Sequence, residues 1–203
     1  MELMEIRREL LMQPQRIQVT WNQQLYPVNS DNWSPYSTSY ATATFSDGVA
    51  TVTYVRAQRG YYTSLRTAIG QTRQADEKWY LSYMVYPSVD DLYWGSEVLN
   101  ISGDTYRAKA PGNVWSRLSW IITSTSSGTH RTYIPNCRST NADISVGMTV
   151  GMKSPALINL TQMFGSGNEP ATVADFENQC AKNGINLETY QAQTSGASRW
   201  WIV

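Results

Sequence analysis

The sequence predicts an all-β sandwich of jelly-roll type with a short helix at each end. Three observations predict it. Short runs rich in Thr, Tyr, Val and Trp recur along the chain, separated by Gly, Pro, Asn and Asp clusters. One pair of runs flanks Asp47-Gly48, the two-residue chemistry of a tight hairpin. Between about 20 and 150, no stretch carries the apolar period of a long amphipathic helix, which argues against an α/β sheet.

Taken in order, Leu3, Ile6 and Leu10, with Met4 and Leu11, fall at helical spacing before Pro14, which predicts a helix over 1–12. So short a helix needs a surface to pack on. The hairpin follows, Ala41–Phe45 against Val49–Val55. Further strands are predicted at Tyr61–Ile69, Trp79–Tyr86, Glu97–Ile101, Tyr106–Ala108, Trp115–Thr123, Thr132–Pro135 and Ile144–Leu160. Turns are predicted at Gly70, Pro87, Gly103-Asp104, Pro111–Asn113, Ser124–Gly128 and Asn136–Asn141. Alternation in Trp115–Ile122 puts Leu118, Trp120 and Ile122 on one face and Trp115 with Ile121 on the other. Pro170, Thr172 and Asp175 start a helix, Val173, Phe176 and Cys180 share its face, and Asn183-Gly184 stops it, giving 172–183. The apolar end, Trp200–Val203, is expected to dock. The parts are therefore 1–17, helix and linker; 18–171, sandwich; and 172–203, helix and tail packed on it.

The 203 residues carry 16 Lys+Arg against 16 Asp+Glu, for a formal charge of zero, so nucleic-acid binding is disfavoured. No apolar run is long enough to span a bilayer, so no membrane insertion is expected. The acidic N-terminus lacks a secretory h-region. Cys137 and Cys180 have neither metal nor disulfide spacing; Cys137 is expected in a turn as the more reactive thiol, Cys180 buried on its helix.

Catalytic chemistry finds little support. His130 is the sole histidine, in a turn expected to face solvent. Asp90-Asp91 is the one adjacent carboxylate pair, in a loop where it is either solvated or a cation ligand. There is no phosphate loop, GxSxG or CxxC, so no cofactor, no metal site and no enzymatic activity are predicted. The aromatics point to binding. Of these, Trp supplies 8 and Tyr 13 against 3 Phe, a bias toward rings that also carry a polar group. Arg59, Tyr61 and Tyr62, and Asp90, Asp91, Tyr93 and Trp94, place aromatic pairs beside charged groups in predicted loops. Such rings stack on sugar faces while Asp and Arg meet the hydroxyls, so these seven residues are the candidate glycan site. The alternative places Tyr93 and Trp94 as plugs of the sandwich end.

Residues 156–177, from Ala156-Leu157-Ile158-Asn159-Leu160-Thr161 through Met163-Phe164-Gly165 and Gly167-Asn168-Glu169-Pro170 to Thr172-Val173 and Phe176-Glu177, resemble the LIDLTxMFGxGNEPxTVxxFE stretch of phage and prophage tail-associated minor structural proteins. Asn159 stands where Asp is commoner. The leader Met1–Met12 is similar to the short helix of such proteins. In that family the stretch closes a galactose-binding-like β-sandwich related in shape to carbohydrate-binding modules. The resemblance implies a virion protein of the tail or host-contact apparatus, assembled in the host cytoplasm. It also implies contacts with other virion proteins, a homo-oligomer, and binding to a bacterial surface glycan. Alternatives are a purely structural virion component or a carbohydrate-binding module of a glycan-active system. Physically, Leu157, Leu160, Met163 and Phe164 are expected to seal one end of the sandwich, with Gly165 and Gly167 turning the backbone.

Overall fold

The computed structural model describes residues 15–90, 92–97, 107–189 and 198–203, with the side chains of 58–63, 96–97 and 138–143 left aside. The helix expected over 1–12 and Asp91 lie outside the described residues.

Two antiparallel sheets face each other, as the alternating runs predict. One has the order β11 (Ser116–Thr123), β8 (Lys78–Pro87), β14 (Thr149–Asn159), β4 (Val49–Tyr54), β3 (Ala41–Ser46). The other has the order β10 (Arg107–Lys109), β9 (Tyr93–Glu97), β13 (Tyr133–Ile144), β6 (Leu65–Thr67), β2 (Trp33–Pro35), with β5 (Gln58–Thr63) also paired to β13. Successive strands cross between the sheets, the jelly-roll arrangement. The Asp47-Gly48 hairpin forms as expected: Ser46 pairs with Val49, and both turn residues take positive φ, 52° and 75°. Between the sheets lies the main core, which includes Trp33, Tyr54, Leu81, Tyr83, Trp94, Ile122, Ile134, Cys137 and Leu157.

The central strands of the five-stranded sheet, β8 and β14, are buried on both faces, because a third layer covers part of the outer one. Leu81 and Leu157 face the main core, while Tyr80, Ala156 and Ile158 join a second cluster with Val19, Trp21, Leu160, Met163, Phe176, Cys180 and Trp201. That layer comprises α1 (Leu160–Phe164), α2 (Val173–Lys182) and a two-stranded ribbon of β1 (Arg16–Thr20) and β15 (Ser198–Ile202). Leu118 and Ile122 face inward and Ile121 outward, as alternation predicts. Trp201 docks fully, whereas Trp200 on the next position is 66% exposed.

Four expectations are corrected here. Leu160, Met163 and Phe164 do not seal an end; they seat the third layer on a sheet face, and Leu157 belongs to the main core. Asn136–Asn141 is no turn but the middle of β13, where Asn136 and Cys137 pair on both sides and a register shift between Arg138 and Asp143 absorbs the irregularity. Cys137 is therefore buried rather than reactive. The strand expected over Ile144–Leu160 is interrupted by a turn, with Gly147 at φ 84°, before β14.

The 156–177 stretch works as a hinge from sheet to helices. Asn159 Oδ1 accepts the Gln162 N–H at 2.9 Å and caps α1. Thr172 and Asp175 form a reciprocal capping box on α2. Glu169, almost wholly buried, accepts from Thr161 Oγ1 at 2.7 Å and the Gly167 N–H at 2.9 Å, with Lys78 Nζ at 3.6 Å. Burial pushes its carboxyl up, but these hydrogen bonds and the Lys78 charge outweigh that and hold it below its usual value. A depressed carboxylate stabilises the fold above its unfolded pKa and loses that contribution as pH falls through the folded one. Glu169→Gln should cost about 1–3 kcal/mol near neutrality, and the gap to the parent should close below about pH 4, as read by urea unfolding across pH.

Candidate functional site

Among the described residues no layer covers the outer face of the six-stranded sheet, where Tyr36, Tyr93, Arg107 and Lys109 are exposed. The two aromatic pairs singled out in the sequence come together in this sheet, but as strand residues, not loop residues. Cys137 of β13 pairs with Trp94 of β9 on one side and with Tyr62 of β5 on the other. Arg138, the next residue, pairs with Tyr61, and continuing the β9 register one step brings it level with Tyr93. Tyr93 in turn pairs with Lys109 of β10. Lys109, Tyr93, Arg138 and Tyr61 therefore occupy one transverse row over four strands, a span of roughly 14 Å. Arg59 lies farther along β5, opposite Asp143.

Consecutive strand residues point to opposite faces, so Tyr93 and Trp94 cannot share a task. Tyr93 is 37% exposed, with Arg107 Cζ at 5.2 Å and Lys109 Nζ at 5.3 Å from its ring centroid. Trp94 is fully buried in the main core and is unavailable to a ligand, which corrects its assignment to the site. The plug reading fits Trp94 and not Tyr93.

Asp90 is a structural pin: its Oδ1 accepts the Gly112 N–H at 2.7 Å. Gly112 is required for that approach, since a Cβ there would meet the Val89 carbonyl carbon at 2.7 Å. His130 lies on the short strand β12 (Gly128–His130), half-buried rather than in an open turn, and pairs with Gln71 of β7 (Gln71–Arg73). Burial and the nearby Arg73 charge hold its pKa below the usual value.

Sequence reasoning missed Arg107 and Lys109, whose relation to Tyr93 exists only through strand pairing. It also missed a second row, in which Tyr133 pairs with Glu97 on one side and Arg66 on the other, and Arg66 with Ser34. Exposed Tyr36 meets Tyr133 edge-on at 5.6 Å. The face thus offers Tyr93 in one row and the Tyr36–Tyr133 pair in the other, each beside basic groups.

A comparison with family models finds no match, and neither does one with curated proteins. Among solved structures 34 chains match. One is the C-terminal family 6 carbohydrate-binding module of the laminarinase LamC from Zobellia galactanivorans, with 14% identity, 68% of this chain and 99% of that one covered, and a TM-score of 0.36. Another, described for specific mannan recognition, is a family 27 module with 11% identity, coverage of 71% and 98%, and a TM-score of 0.42. A family 4 module gives 8% identity, coverage of 70% and 94%, and a TM-score of 0.42. With TM-scores below 0.5, these overlaps assign no ligand to the chain, and the sandwich is established by its own strand ladders.

Proposed function

We propose that the protein is a phage or prophage virion component of the tail or host-contact apparatus, and that the open face of its six-stranded sheet binds a bacterial surface glycan. The observation that carries the binding reading is the exposed Tyr93 ring, to which the neighbouring strand β10 brings Arg107 and Lys109. An exposed flat ring with hydrogen-bond donors close by suits stacking on a sugar. The virion assignment is supported by the resemblance of residues 156–177 to tail-associated proteins.

The role is binding, not catalysis. Four carboxylates have structural work: Glu169 holds the α1–α2 turn, Asp175 caps α2, Asp90 pins Gly112, and Glu177 accepts from the Tyr80 hydroxyl at 2.8 Å and from Arg117 at 3.0 Å. One stacking ring contributes on the order of 1 kcal/mol, so useful avidity calls for multivalent display in a homo-oligomer.

Tyr93→Ala should reduce binding to host cells roughly five- to tenfold per site while leaving the melting temperature nearly unchanged, since the ring is exposed. Binding of a labelled protein to cells, beside a thermal melt, checks both. Unchanged binding by a folded Tyr93→Ala variant would move the site elsewhere and favour the purely structural virion role.

A further inference from the structure

We propose that the protein carries a second saccharide-binding face, on the uncovered part of the five-stranded sheet, and that it takes a neutral polysaccharide chain. Trp115 and Tyr86 pack against the sugar rings there, and threonines of β3 and β4 meet the hydroxyls. This surface lies on the opposite side of the sandwich from Tyr93, so the inference goes beyond the glycan site proposed above and stands or falls apart from it.

The third layer covers the part of the outer face that carries Tyr80, Ile121, Ala156 and Ile158. Farther along the same strands, Gly151 of β14 pairs with Tyr86 of β8 and with Thr51 of β4, and Thr51 pairs with Thr44 of β3. Continuing the β8–β11 register one step beyond Val85 and Ser116 brings Trp115 level with Tyr86. Trp115, Tyr86, Gly151, Thr51 and Thr44 thus form one transverse row across the sheet, a span of roughly 19 Å. Their chain neighbours Val85, Val150, Met152, Ala50 and Val52 point into the main core, so the row points outward. Two residues along the strands, about 7 Å away, Thr149, Thr53 and Thr42 form a parallel row.

Gly151 shapes this surface. A glycine weakens a strand interior and marks the close approach of another group. A Cβ there would meet Trp115 Cη2 at 3.0 Å and Tyr86 Cβ at 3.3 Å, so the indole reaches over the glycine. The Tyr86 ring stands 5.4 Å from that of Trp115, centroid to centroid, and Lys153 Nζ lies 4.5 Å from the Trp115 ring centroid. The result is a half-exposed aromatic shelf with a donor beside it. Next to the shelf, Thr42, Thr44 and Thr51 are exposed and Thr53 and Thr149 half-buried. Threonine favours strands for its own sake, and opposed threonines can bond to each other. Thr72 and Thr129 do so at 2.9 Å on the β7–β12 ribbon. Thr42 opposes Thr53 and Thr44 opposes Thr51, yet none of these hydroxyls has a hydrogen-bond partner among the described residues. Each keeps its donor and its acceptor lone pairs for a ligand. Neither row contains a charged residue. Rings that cover C–H surface, beside hydroxyls that both donate and accept, match an uncharged sugar chain, and a row of this length takes several sugar units.

The test is biolayer interferometry with the full-length protein against immobilised dextran, mannan, galactan and xylan, at about 50 and about 300 mM NaCl. The expected result is binding to at least one of these neutral polymers, unchanged by salt because no ion pair is formed. Trp115→Ala should weaken it roughly tenfold. Because Trp115 is half-buried, a second variant keeps the result readable in a well-folded protein. Thr44→Lys with Thr51→Glu sets an opposed charge pair on two exposed positions, covers the hydroxyls, and should abolish binding while the melting temperature stays close to that of the parent. Losses in these variants support the proposal, whether or not Tyr93→Ala also weakens binding. If Tyr93→Ala then changes neither polymer nor host-cell binding, this face stands and the Tyr93 site falls. Loss in Tyr93→Ala alone overturns the second face and leaves the Tyr93 site standing. Binding that Trp115→Ala and the threonine pair both leave intact overturns the proposal, and so does binding to none of the four polymers. Binding that collapses at the higher salt overturns the uncharged chemistry.

Discussion

Trp94→Ala should unfold the protein far more readily, costing about 3–5 kcal/mol and lowering the melting temperature by roughly 10 °C. The indole is fully buried between the two sheets, in the same cluster as Tyr83 and Cys137, and truncation leaves a hole that packed neighbours cannot fill. Its Nε1 has no hydrogen-bond partner among the described residues, so the loss is one of packing. Trp94→Phe, which keeps a ring, should therefore cost clearly less, about 1–2 kcal/mol. Calorimetry of the two variants checks the order. Equal, small losses would take Trp94 out of the core.

Phe176→Ala should destabilise by a similar 3–5 kcal/mol or so, but through the third layer rather than the main core. Phe176 is the hub of that layer: its ring centroid is 4.7 Å from Tyr80, 6.3 Å from Phe164, 6.4 Å from Trp201 and 6.5 Å from Trp21. Because the second cluster is separate from the first, the layer should open before the sandwich does. The two cysteines report on this independently, one in each cluster. In the parent both are buried, and burial pushes the Cys180 thiol up to about 12, so neither should react with a thiol reagent. In Phe176→Ala, Cys180 should become reactive while Cys137 stays protected, as read by mass spectrometry of the labelled protein. Simultaneous labelling of both would mean that layer and sandwich unfold as one unit.

The elements legible in the sequence are those whose signals are local. Asp47-Gly48 specifies its hairpin because the turn alone decides the register, and Pro170, Thr172 and Asp175 specify α2 because capping is a contact three residues long. What escaped the sequence depends on partners far along the chain. Asn136–Asn141 looks like a turn by composition, yet Asn136 and Cys137 pair on both sides and the segment lies within strand. The Tyr93-Trp94 pair marks the right part of the sheet, but alternation permits only one of the two at the surface, and the sequence does not say which. Arg107 and Lys109 become neighbours of Tyr93 only through the β9–β10 pairing. Of the third layer, the helix and the docked tail are legible, but the ribbon escapes for the same reason, since Arg16–Thr20 finds its partner in Ser198–Ile202 at the far end of the chain.

The claim that the uncovered sheet face is the ligand surface is most directly tested by NMR shift mapping with glycan fragments released from host envelopes. The account predicts saturable perturbations at Tyr93, Arg107 and Lys109, extending toward Tyr133 and Tyr36, with Phe176, Trp201 and the rest of the third layer silent. Perturbations confined to the third layer, or to the edge away from Tyr93, would contradict it.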